Sequence, residues 1–114
     1  MARATQPRLA FQGDPVFRAG CNVTVRFGEK WVKHFLAGRK NCIVLNGEGK
    51  RIGTAVIEDA FYLPLHAVRE EWLRFTENPG NRWASLFRDL QFRYGDGVSP
   101  SHYVSVVWFT FTND

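Results

Sequence analysis

The sequence is poor in cysteine and histidine, with two of the first and three of the second in 114 residues. Cys21 and Cys42 are too few for a disulfide scaffold, and their spacing is not the C-x-x-C of a zinc site. His34, His66 and His102 stand singly, with no thiol or carboxylate at ligand spacing, so neither a metal nor a cofactor is expected. Long apolar runs are missing too. No stretch approaches the ~18 residues that cross a bilayer, and no apolar leader segment is present, so a reducing, cytoplasmic setting without membrane attachment is expected. The phosphate loop G-x-x-x-x-G-K-[ST], the dinucleotide G-x-G-x-x-G, H-E-x-x-H and G-x-S-x-G do not occur. Repeats, low-complexity tracts and a domain-splitting linker are also absent.

Apolar bulk is present. The chain is 45% hydrophobic and 15% aromatic, with four Trp and ten Phe, enough for one real core and against intrinsic disorder. Formal net charge is +4, compatible with a polyanionic partner without demanding one. The charge is uneven. Residues 1–60 hold ten Lys and Arg against five Asp and Glu, whereas residues 61–114 hold five against six. An anion-attracting face is therefore expected from the first half.

Residues 1–20 read as an arm or irregular lead-in, with a short extended piece at Pro15–Arg18, and residues 21–114 as a single domain. "NVTVRF" alternates Val23, Val25 and Phe27 against Asn22, Thr24 and Arg26, a half-buried strand. In "EKWVKHFLA", Trp31, Phe35 and Leu36 mark the apolar side of a short helix, and Gly38 stands where a left-handed cap glycine belongs. "NCIVLN", the turn Gly47–Gly49 and "RIGTAVIED" form a hairpin, with Gly53 marking a bulge or a close backbone approach. Leu65, Val68, Trp72 and Phe75 recur at helical spacing and "ENPGN" stops that helix. Trp83, Leu86, Phe87, Leu90 and Tyr94 mark another. "HYVSVVWFTFT" is a strand buried on both faces over its middle. Trp72 and Trp83 match their helices' apolar stripes, so they read as core. The order β-α-β-β-α-α-β implies an α+β fold whose sheet is curved or closed into a small barrel.

Arg39 and Lys40 sit side by side at the junction of the first helix and the next strand. Locally they are favourable charges at a helix C-terminus, worth about 0.3–1 kcal/mol. Their company gives a second reading. Arg26, Lys30, Lys33, Lys50 and Arg51 lie on neighbouring elements, and cations beside aromatic side chains suit the phosphates and bases of RNA or a nucleotide. Glu70, Glu71 and Glu77 are the carboxylates that a Lys40-centred catalytic pair would draw on. The plainer reading of Glu70 and Glu71 is a solvated helix face beside Arg69 and Arg74.

The run "VTVRFGEKWVKHFLAGRKNCIVLNGEGKRIGTAVIED" and the closing "HYVSVVWFTF" resemble the ASCH domain group of the PUA-like superfamily, most clearly in "LAGRK", the following apolar strand and "IGTAVIED". The resemblance implies a small β-barrel with helices flanking its mouth and a cleft suited to RNA or a nucleoside. Some bacterial members look like amidohydrolases acting on N4-acetylcytidine through a lysine, a threonine and a glutamate. Lys40 would be the lysine. Where the threonine is expected this sequence has Ile43. The glutamate would be Glu70, Glu71 or Glu77. Others look like RNA-binding proteins or ribonucleases. The expectation is thus a nucleic-acid-binding domain, with a Lys40–glutamate hydrolase as the alternative and a phage or bacterial protein–protein modulator as a third.

Overall fold

A computed structural model describes residues 6–76 and 82–114. Glu77 and the "ENPGN" helix stop lie outside the described residues. Among the described residues the protein is a small α+β fold in which a curled, mixed, five-stranded sheet forms a half-barrel accompanied by three helices. The strands are β1 (Arg8–Ala10), β2 (Asn22–Phe27), β3 (Asn41–Leu45), β4 (Arg51–Pro64) and β5 (Tyr103–Asn113). The helices are α1 (Lys30–Leu36), α2 (Glu70–Leu73) and α3 (Trp83–Tyr94). Strand order is β1-β3-β4-β5-β2, parallel at β1–β3 and antiparallel elsewhere.

The first twenty residues carry a strand that the sequence reading did not include. Leu9 and Phe11, two apart, place both side chains on one face. Leu9 is fully buried, Phe11 nearly so, and β1 adds to the edge of β3 with Arg8 opposite Ile43. The extended piece expected at Pro15–Arg18 forms no strand. It supplies Phe17, whose ring meets Phe11 and Phe111 at 5.0 and 4.3 Å. Arg18 then donates to the carbonyls of Thr76 and Arg74, fastening the lead-in to the end of α2.

Two cores lie on the two faces of the sheet. The inner one gathers Leu9, Phe11, Trp31, Cys42, Val44, Ala55, Ile57, Val107 and Phe109. The outer one gathers Val23, Val25, Val104 and Val106 under Leu73, Leu86 and Leu90 of α2 and α3. Both Trp72 and Trp83 pack against the outer core, as their spacing predicts. Strand β4 serves both because its register slips between Ile57 and Asp59, a bulge that moves the inward-facing positions from odd to even numbers. Gly53 shows the close approach expected of it, since a Cβ there would lie 2.3 Å from the Thr112 carbonyl.

Three expectations fail locally. The helix predicted from Leu65 to Phe75 is broken into a single 3-10 turn, Leu65–Ala67, and the four-residue α2, because Val68 and Arg69 are extended. Strand β4 runs on to Pro64 instead of ending at Asp59. Ala60 to Pro64 pair with Val107 to Tyr103, burying Leu63 against the outer core. Leu36, assigned to the apolar side of α1, is 77% exposed, and Trp31 alone is fully inserted.

Candidate anion-binding site

Helix α1 lies against the inner face of β4 and β5, fixed by Trp31 and Phe35. That docking turns the polar side of the helix outward. Gly38 takes φ +80° and ends the helix, its N–H donating to the Phe35 carbonyl at 3.0 Å. The chain therefore reverses direction at once, and Arg39 returns alongside the last turn, its N–H donating to the His34 carbonyl at 2.8 Å. Lys30, Lys33, His34, Ala37 and Arg39 thereby share one open hollow with Glu29, of about 560 Å³.

The hollow is electropositive. Glu29 accepts an ion pair from Lys33 at 2.8 Å and neutralises one cation, whereas Lys30 and Arg39 form no ion pair among the described residues. Hydrogen bonding to Glu29 is the main cause that raises the Lys33 pKa. His34 responds oppositely. Burial first, then the charges of Lys30 and Arg39, push its pKa below 6.5, so the ring is neutral at pH 7 and serves as a polar wall. Lys40 leaves the hollow's rim and lays its ammonium 5.3 Å from the centre of the Phe35 ring.

Four of the residues singled out from sequence thus gather around α1, but in different ways. Lys30, Lys33 and Arg39 line the hollow and Lys40 flanks it. Arg26 is on the inner face of β2, its Nε donating to Thr24 Oγ1 at 3.0 Å and its guanidinium over Phe11. Lys50 and Arg51 are not brought here. They sit at the far end of the β3–β4 hairpin, about 17–20 Å from Lys40 along β3, where Arg51 pairs with Asp114 at 2.9 Å. The turn before them is organised by Asn46, whose Oδ1 accepts from the N–H groups of Glu48 and Lys50.

Glu70 and Glu71 belong to the opposite side of the sheet. Glu70 accepts from the Trp83 N–H at 3.0 Å and so caps α3, while Glu71 pairs with Arg69. Among the described residues, no carboxylate pairs with Lys40. Ile43 is half-buried and alternates with Cys42, so it points to the sheet face away from the inner core. His66 and His102 lie apart from His34, and among the described residues no three His, Cys, Asp or Glu side chains converge.

Sequence reading missed one neighbour of the hollow. Tyr62 and Tyr103 stand on adjacent strands on the inner face, with ring centres 5.0 Å apart and exposures of 43% and 49%. The Tyr103 carbonyl accepts from the N–H of Gly28, two residues before α1 and next to Glu29 of the hollow. The signal was available in "FYLP" and "SHYV", but the bulge in β4 had to be known before Tyr62 could be assigned to the same face as Tyr103.

No family model matches the sequence, and no curated protein matches it. The fold has a relative among solved structures. The crystal structure of protein EF3133 from Enterococcus faecalis V583, of the family DUF984, superposes with a TM-score of 0.52 at 11% sequence identity. The likeness covers 84% of this chain and 62% of that one, so this chain spans about three-fifths of the length of EF3133. At that identity the fold alone is shared. No described helix is long and apolar enough to cross a membrane.

Proposed function

We propose that the chain binds RNA or a nucleotide, holding phosphate oxygens in the basic hollow on α1. The observation that carries this is the convergence of Lys30, Lys33, His34 and Arg39 on one open concavity. Lysine and arginine donors on a solvent-facing surface suit a polyanion that approaches by diffusion and is held through many weak contacts. The half-barrel with a helix at its mouth and the "LAGRK" junction support reading the domain as ASCH-type and PUA-like, a class whose cleft is suited to RNA. Two free thiols, Cys21 and Cys42, suit a reducing cytoplasmic location.

The same geometry favours binding over hydrolysis. Lys40 rests on an aromatic ring, and Glu70 and Glu71 are engaged behind the sheet. Titration of labelled RNA against the protein at several salt concentrations tests the proposal. Affinity should fall steeply with salt, and Lys30→Ala and Arg39→Ala should each weaken it and lower the salt slope by about 0.7, the value for one single-strand phosphate contact. Binding that is absent, or that ignores salt and both substitutions, overturns it.

A further inference from the structure

We infer that Tyr62 and Tyr103 form a base-stacking platform beside the hollow, so that the ligand is a single strand with unstacked bases and not a duplex. This rests on the proposed phosphate-binding role of the hollow and adds a second surface to it.

Among the described residues five aromatic side chains are exposed, and three of them, Phe61, Phe92 and Tyr94, lie with the outer core or on α3. Most of the others fill cores: Phe11, Phe17, Phe109 and Phe111 pack together inside the half-barrel, and Trp72, Phe75 and Trp108 pack outside it. Tyr62 and Tyr103 instead meet each other at the edge of the inner face, each close to half exposed. A tyrosine there presents a flat apolar surface with its hydroxyl free to stay in water.

Position gives the pair its meaning. Neighbouring antiparallel strands hold the two tyrosines rigidly, with Ser105, which pairs with Tyr62, donating to the Gly28 carbonyl at 2.6 Å. That bond and the Gly28–Tyr103 bond fix the platform to the start of α1. The cations follow along the helix, from Lys30 and Lys33 to Arg39 beyond its end, over roughly 10 Å of helix. A strand whose phosphates track those cations can turn its bases toward the tyrosines. Stacking of this kind is tolerant of sequence because every base has a π-face. A duplex keeps its bases stacked on one another and offers none to the rings.

The test compares three ligands of equal length: a single-stranded RNA, the same backbone lacking bases, and an RNA duplex. The single strand should bind about ten-fold or more tighter than the abasic chain. Tyr62→Ala and Tyr103→Ala should each remove most of that difference while leaving the salt slope unchanged, and Tyr62→Phe and Tyr103→Phe should retain it. Equal binding of all three ligands, or indifference to both alanine substitutions in folded protein, overturns the platform and leaves the phosphate site standing. Failure of every ligand to bind overturns both.

Discussion

The Arg26 guanidinium lies 4.7 Å from the centre of the Phe11 ring, and this contact joins the two open edges of the sheet. Arg26 belongs to β2 at one edge, and Phe11 follows β1 at the other, its N–H extending the ladder to the Leu45 carbonyl at 2.9 Å. Between them the curl of the half-barrel is held without backbone pairing across the gap. Phe11→Ala should lower stability by about 3–5 kcal/mol, as for other buried phenylalanines. Arg26→Met, which keeps the apolar stem, should cost about 0.5–2 kcal/mol. Urea denaturation monitored by tryptophan fluorescence measures both.

Gly53→Ala should be costly for a different reason. The added methyl would meet the Thr112 carbonyl at 2.3 Å and the Phe111 ring at 2.7 Å. The carbonyl is backbone and cannot step aside without opening the β4–β5 ladder. A loss of about 1–3 kcal/mol is expected. Gly97→Ala, where a Cβ meets nothing within 4 Å, is the control and should be close to neutral.

The charges at the hairpin tip should behave unlike those on α1. Lys50→Ala should leave RNA affinity and its salt slope unchanged, because the residue is about 20 Å from Lys40 along β3. Arg51→Ala should cost at most about 1 kcal/mol of stability by releasing the exposed pair with Asp114. Parallel binding and melting measurements separate the two effects from those of Lys30 and Arg39.

His34 gives a pH signature. Its ring faces the charges of Lys30 and Arg39 and the Trp31 ring at 5.4 Å, and its pKa is lowered first by burial and then by those cations. The folded state therefore resists taking up a proton that the unfolded chain accepts near pH 6.5. The stability associated with neutral His34 is fully present above pH 6.5 and is lost as the pH falls from there through the folded pKa. NMR titration of the His34 ring should show a midpoint below 6.5. It should rise in Lys30→Ala and Arg39→Ala, and rise further when RNA occupies the hollow.

The two cysteines should differ sharply in reactivity. Cys42 is fully buried and its pKa is pushed up to about 11, chiefly by burial, with Arg26 opposing. Cys21 is exposed. A thiol reagent at pH 8 should label one cysteine per chain, lost in Cys21→Ser, and reach Cys42 only on unfolding.

Local pattern made much of this fold legible. The strand at "NVTVRF", the cap at Gly38, the hairpin and the helix at Trp83–Tyr94 each follow from spacing or turn chemistry and appear where expected, although the strand is not half-buried, since Asn22 and Thr24 on its polar side are buried too. The parts that were not legible depend on distant partners. β1 is three residues long and exists because β3 offers an edge to it. The broken helix at Leu65–Leu73 has helical spacing, but Val68 and Leu73 reach the outer core from an interrupted backbone. At the site, the grouping of Lys30, Lys33 and Arg39 was legible because one short helix and its cap carry all three. The separation of Lys50, Arg51, Glu70 and Glu71 from them required the topology of the sheet.

The bulge in β4 also bears on how the protein unfolds. Before it, Ala55 and Ile57 plug the inner core. After it, Leu63 supports the outer one, and β5 alternates between both along its length. Melting either core would pull its share of β4 and β5 out of the ladder and strip the other of its central strands. The two halves are thus mechanically interlocked, and amide exchange in β4 and β5 should report one shared opening free energy instead of two independent ones.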